Sequence, residues 1–250
     1  MTWALDLDGV IWRGEGLLPG ADVAVARLRA AGERVVYLTN NSYLPVAATV
    51  AKLAAMGLPT EPEDVLTSAQ AAASMLDPGT TAGVCGGPGV EEALRAAGVE
   101  LLAHGPADAV VVGWHGEFDY QRLTVAVSAV LGGARLVATN DDATYPSADG
   151  LIPGGGALVA AIAYASGREA IVAGKPFAPM VALVHRRVGP VEVMAGDRPS
   201  TDGLLAKALG ARFGLVLSGV TTASDLPVQP APDLVAADLA SLVAEVLGRQ

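Results

Sequence analysis

The chain has 250 residues, 52% of them apolar, and a formal net charge of −10. That length holds one large domain or two smaller ones, with ample material for a core. The acidic balance, with Lys and Arg nowhere gathered into runs, argues against nucleic acid and anionic membrane surfaces as partners.

Strand-like and helix-like segments alternate from the start. Trp3-Ala4-Leu5 is a short apolar strand, and Ala21 to Ala31 carries apolar residues at helical spacing up to Gly32. Val35 to Leu38 is a β-branched run, Leu44 to Met56 a helix stopped by Gly57, Val65 to Thr67 a strand and Ser68 to Leu76 a helix. Repeated βα order predicts a parallel, doubly wound sheet covered by helices. Asp77-Pro78-Gly79 reads as a boundary, after which the alternation restarts. Strands are expected at 81–86, 109–113 and 135–139, and helices at 89–97, 119–131 and 157–166. A third stretch gives strands at 191–195 and 215–217 and a helix at 204–209. The chain closes with an amphipathic helix over 233–247, striped by Leu234, Val235, Leu239, Leu242, Val243 and Val246.

Targeting signals are few. The single Cys85 rules out an intramolecular disulfide and fits a reducing compartment. No basic segment followed by an apolar stretch opens the chain, so a secretory signal is not expected. The uncharged stretch 150–167 offers about ten helical residues, which at 1.5 Å each cover half a bilayer core. A cytoplasmic location is the expectation.

The chemistry gathers at strand ends. Asp6-Leu7-Asp8-Gly9-Val10 places two carboxylates two residues apart where a buried strand surfaces. In open α/β sheets ligands bind at that end of the strand. Like charges so close ask for a divalent cation, a proton, or both. Thr39-Asn40-Asn41-Ser42 follows the second strand. Gly174-Lys175-Pro176 holds one lysine between two backbone-fixing residues. Gly196-Asp197-Arg198-Pro199-Ser200-Thr201-Asp202 brings two more carboxylates after a strand. Each motif alone has a plain structural reading, as a solvated turn, a helix N-cap or a surface lysine.

The ordered set resembles the four signature motifs of the haloacid dehalogenase superfamily of phosphohydrolases. In detail it is similar to the NagD-like, nitrophenylphosphatase-type branch, class IIA. The likeness lies in Gly9-Val10-Ile11-Trp12 with Pro19-Gly20-Ala21, in Thr39-Asn40-Asn41-Ser42, and in Ala138-Thr139-Asn140 running to Pro153-Gly154. It continues through Gly174-Lys175-Pro176, Gly196-Asp197-Arg198 and Gly219-Val220-Thr221.

The resemblance implies a Rossmann-like core over 1–78 and 173–250, with a smaller α/β cap domain inserted at 79–172. Spacing agrees: about thirty residues separate Asp8 from Thr39, and about 135 separate Thr39 from Lys175, far more than a βα crossover needs. It also implies a Mg²⁺-dependent phosphatase that works through an aspartyl-phosphate. Asp6 is then the nucleophile and Asp8 the general acid and base. Thr39, Asn40 and Asn41 bind the phosphoryl group, and Lys175 offsets its charge. Asp6, the main-chain carbonyl of Asp8, Asp197 and Asp202 serve the metal. Trp114, His115, Asn140, Asp142 and the loop 153–156 are candidate contacts to the substrate's leaving group. The branch pattern fails at Gly113-Trp114-His115-Gly116, where relatives more often carry an acidic or basic pair. Gly86-Gly87-Pro88-Gly89 lacks dinucleotide-binding spacing and reads as a tight strand-to-helix turn.

The partner is then a small phosphorylated metabolite: glycerol 3-phosphate, favoured slightly, or a nucleotide, a sugar phosphate or pyridoxal phosphate. A homodimer through the cap is also implied. The rivals are a phosphomutase, a non-catalytic phosphate sensor on the same fold, a dehalogenase and a nicotinamide dehydrogenase. Asp8 disfavours the dehalogenase, and carboxylates in the first βα turn disfavour a pyrophosphate site.

Overall fold

The computed structural model describes residues 1–147 and 150–248. The chain divides into two compact units. One comprises Met1–Thr39, Thr49–Leu66 and Val184–Gln250, and the other Asn40–Ala48 and Thr67–Leu183.

The first unit is built on a six-stranded sheet. Its strands run in the order Leu234–Ala236, Arg212–Val216, Val193–Gly196, Thr2–Leu5, Arg34–Thr39, Val65–Thr67. Thr2–Leu5 pairs in parallel with both neighbours, Leu5 lying opposite Ala195 on one side and Tyr37 on the other. The chain moves outward from Thr2–Leu5 in one direction, then returns to its other side and moves outward again, which is doubly wound topology. Trp3, Ala4, Leu5, Val36, Tyr37 and Leu38 are fully buried, which explains their unbroken apolar runs. Helices Ala21–Ala30 and Leu239–Leu247 pack together.

The C-terminal segment departs from the expected single helix. Leu234–Ala236 is a strand paired with Gly214–Val216, and the helix begins only at Leu239. Asp238 sets that start, its side chain accepting from Ser241 N at 2.7 Å. Leu234 and Val235 fit a helical stripe by coincidence of spacing.

The second unit holds a five-stranded parallel sheet in the order Ile171–Val172, Arg135–Ala138, Ala109–Val112, Thr81–Cys85, Glu100–Leu102. Helices Tyr120–Leu131 and Gly155–Ser166 cover one face, over a core that includes Cys85, Val110, Val112, Leu136 and Ile162. Four of the described elements in this unit lacked a sequence signature. Glu100–Leu102 is short and only half-buried. Thr144–Ser147 and Gly150–Pro153 pair as a small antiparallel hairpin. The helix Ala178–Arg187 follows Pro176 and carries Pro179 in its first turn, where a missing N–H costs nothing.

Candidate active site

Three neighbouring strand ends of the first unit place Asp6, Asp197 and Thr39. Asp6 follows Leu5 directly, and its N–H continues the ladder to Ala195 O at 2.9 Å. Asp197 follows Gly196 on the strand to one side, and Thr39 ends the strand to the other. All three are buried, at 7%, 1% and 3% exposure. Asp202 is fully buried and arrives from a π-helical turn, Pro199–Gly203, that leads into the helix Leu204–Leu209. That wide turn folds Asp202 back onto its own loop, where Oδ2 accepts from Arg198 N at 3.0 Å.

Asp6, Asp197 and Asp202 each bring one carboxylate oxygen within 4.8 Å of the others. Burying three anions together is strongly unfavourable without a cation. The donor set is all oxygen, as Mg²⁺ requires. The surrounding main chain closes tightly on Asp197. A Cβ at Gly219 would lie 1.9 Å from Asp197 Oδ2, and one at Gly9 would lie 2.5 Å from it. Val220 N donates to the same oxygen at 2.5 Å, and Ser218 Oγ donates to Gly9 O at 2.7 Å. The residues present therefore fit a magnesium ion.

Asp8 stands apart from that cluster. Its Oδ1 accepts from the Trp12 indole Nε1 at 3.0 Å. Trp12 opens the small hairpin Trp12–Arg13 and Gly16–Leu17, and Lys52 Nζ lies 4.7 Å from its ring centroid. Lys52 also donates to Gly14 O at 2.8 Å, so one ammonium ties the hairpin from both ends. In the sequence Trp12 stands out only as part of a family pattern. Its proximity, four residues after Asp8 across a glycine turn, was the available signal.

In the second unit, Lys175 is 1% exposed, which removes the surface-lysine reading. Its main chain is bracketed by Asn40: Lys175 N donates to Asn40 Oδ1 at 2.7 Å, and Asn40 Nδ2 donates to Lys175 O at 3.1 Å. Asn41 Oδ1 accepts from Tyr43 N at 2.9 Å, and Asn41 Nδ2 donates to Tyr145 Oη at 3.4 Å. The sequence missed Ser68, a buried residue whose Oγ donates to Asn40 O at 2.7 Å.

The leaving-group candidates divide. Trp114 stacks on Tyr145 with centroids 5.6 Å apart and meets Tyr43 edge-on at 5.5 Å. Its Nε1 donates to Pro153 O at 3.1 Å, so Trp114 and the loop 153–156 do come together. Asn140 and Asp142 join the bonds around Asn40, Nδ2 of Asn140 donating to Asn40 O at 2.8 Å. His115 instead points into the core, 3.6 Å from Cys85 Sγ and 5.8 Å from the Phe118 ring. The Gly86–Gly89 segment is the strand-to-helix turn expected, with Gly87 as N-cap of the helix Pro88–Ala96.

Comparison with known proteins agrees with this geometry. A haloacid dehalogenase-like hydrolase model matches residues 3–100, and a second hydrolase model of the same superfamily matches residues 172–242. Glycerol-3-phosphate phosphatase from Gallus gallus is 38% identical over 255 residues, covering 90% of this chain and 82% of that protein. The p-nitrophenyl phosphatase of Archaeoglobus fulgidus superimposes with a TM-score of 0.91 at 30% identity, covering 98% of each chain. A Mycobacterium tuberculosis glycerol phosphate phosphatase solved with magnesium has a TM-score of 0.89 at 33% identity, covering 96% of this chain and 75% of that one. The chain belongs to the haloacid dehalogenase-like hydrolases, in their NagD-like branch of metal-dependent phosphatases that act on small phosphate monoesters.

Proposed function

We propose that this phosphatase works through an aspartyl-phosphate on Asp6. The buried cluster of Asp6 and Asp197, at adjacent strand ends, with Asp202 from the turn that follows is the observation that supports this most directly. Those three side chains and the main-chain carbonyl of Asp8 hold Mg²⁺. When bound, the ion screens the repulsion between an attacking carboxylate and an anionic phosphate.

The residues then share two steps. A carboxylate oxygen of Asp6 bonds to phosphorus as the ester oxygen leaves, and Asp8 gives that oxygen its proton. Asp8, now ionised, takes a proton from water as the water oxygen bonds to the same phosphorus. The Asp6–phosphorus bond breaks, and inorganic phosphate and the Asp6 carboxylate are regenerated. The Trp12 indole aims the Asp8 carboxyl for both transfers. The Thr39 hydroxyl and the Asn40 and Asn41 segment hold phosphoryl oxygens, and Lys175 offsets their charge.

Segment 79–172 is the inserted cap domain that selects the leaving group, and 1–78 with 173–250 form the catalytic core. The substrate favoured is glycerol 3-phosphate, which agrees with the names of two of the relatives. The protein acts as a cytoplasmic homodimer that contacts neither nucleic acid nor membrane, as its net charge of −10 favours. No helix among the described residues is long and apolar enough to cross a membrane.

Phosphate release from a panel of purified monoesters tests the reading. Activity should require Mg²⁺, disappear on chelation and return on re-addition, with glycerol 3-phosphate giving the highest kcat/KM. Asp6→Asn should lose at least about 10⁴-fold in kcat. An Asp6→Asn variant with normal turnover would refute the nucleophile assignment.

A further inference from the structure

Asn40 holds both edges of a single residue. Its Oδ1 accepts from Lys175 N at 2.7 Å while its Nδ2 donates to Lys175 O at 3.1 Å. A primary amide presents donor and acceptor side by side, so it pairs with this main chain much as a neighbouring antiparallel strand would. The second Nδ2 hydrogen goes to Asp142 Oδ2 at 3.2 Å. The main-chain oxygen of Asn40 is itself held twice, by Ser68 Oγ at 2.7 Å and Asn140 Nδ2 at 2.8 Å.

Both side-chain donor hydrogens of Asn40 are thus committed within the protein, which removes the side chain as a donor to a phosphoryl oxygen. A second observation points the same way. A Cβ at Gly174 would lie 2.5 Å from Asn40 Oδ1 and 2.5 Å from Thr139 O. The glycine before Lys175 therefore makes room for this amide to reach the lysine main chain.

We propose that Asn40 is a positioning residue whose side-chain amide fixes the main chain of Lys175, and with it the base of the ammonium-bearing arm. This rests on the reading of Lys175 as the residue that offsets phosphoryl charge. A lysine arm has four rotatable bonds, so an error at its root is carried to the tip. Misplacing a catalytic group by about 1 Å costs on the order of 100-fold in rate. Gly174 is the spacer of the device, and Ser68 and Asn140 brace its far side.

The test is a double-mutant cycle in steady-state kinetics, with glycerol 3-phosphate and p-nitrophenyl phosphate as substrates and saturating Mg²⁺. Lys175→Met should lose about 10²- to 10³-fold in kcat. Asn40→Leu should lose about 100-fold, chiefly in kcat rather than KM. Asn40→Asp keeps the acceptor for Lys175 N and should fall between Asn40→Leu and the parent. Gly174→Ala attacks the contact from the other side and should reproduce the Asn40→Leu kinetics, so the two readouts stand if Asn40→Leu does not fold. The Asn40→Asp/Lys175→Met double variant should be no slower than Lys175→Met alone. Losses that multiply in the cycle, or parental kcat in Asn40→Asp and Gly174→Ala together, overturn the proposal and leave Lys175 in place. Full activity in Lys175→Met removes the reading of Lys175 and the proposal with it.

Discussion

His115 is a buried imidazole whose surroundings favour its neutral form. Burial lowers its pKa from 6.5, and Arg122 lowers it further, against weaker opposition from Glu117 and Asp119. Its Nε2 faces the Cys85 thiol, which burial pushes up to about 11 and so keeps protonated at neutral pH. The unfolded chain then binds a proton on His115 at a higher pH than the folded one does. Stability from this residue is fully present above pH 6.5 and is lost as pH falls from 6.5 through the lower folded value. Thermal unfolding followed from pH 7.5 to 5 should show Tm falling in the parent and falling less steeply in His115→Phe. Equal slopes would remove His115 as the cause. At this scale the sequence was most legible where a carboxylate directly follows a strand, as at Asp6 and Asp197. It placed His115 among leaving-group contacts because an imidazole after a strand looks the same whether its ring faces solvent or core. The side-chain contacts of Asn40 were not legible because their partner, Lys175, lies 135 positions away.

The loop 218–221 shows how an element can shape a charged centre without contributing a charge. Gly219 lets the main chain pass against Asp197, and Val220 N caps that carboxylate. Gly219→Ala must displace either the loop or Asp197 Oδ2, since the added carbon would lie 1.9 Å from that oxygen. The Mg²⁺ concentration giving half-maximal activity should rise about 10- to 100-fold. A magnesium titration of phosphatase activity measures this, and an unchanged midpoint would free Gly219 of that role. Elements were legible where burial on both faces imposed an unbroken apolar run, as in Val35–Leu38 and Ala109–Val112. They were not where tertiary pairing overrode the pattern. Leu234–Ala236 carries helical spacing but pairs with Gly214–Val216, and Glu100–Leu102 is recruited by Thr81–Gly83 with little apolar signal of its own.

For the whole molecule, the homodimer proposed above has candidate surface in the second unit. Tyr120, Leu131 and Tyr164 are 83%, 63% and 94% exposed on the packed helices Tyr120–Leu131 and Gly155–Ser166. Exposed large apolar side chains on neighbouring helices are candidates for an interaction surface. Sedimentation equilibrium should give a dimer for the parent and a monomer for Tyr164→Lys/Leu131→Lys; a monomeric parent would remove the proposal. Repeated βα order and the family resemblance made the parallel, doubly wound architecture legible from the sequence. They were silent on the four sheet borders.

Those borders carry their own consequence. Each of the two parallel sheets ends on strands of only two or three residues: Leu234–Ala236 and Val65–Thr67, Ile171–Val172 and Glu100–Leu102. An unpaired backbone row that short offers a stray β-segment too few bonds to seed a growing ribbon. In a polypeptide more than half apolar, short borders of this kind thus work against its sheets zippering onto one another.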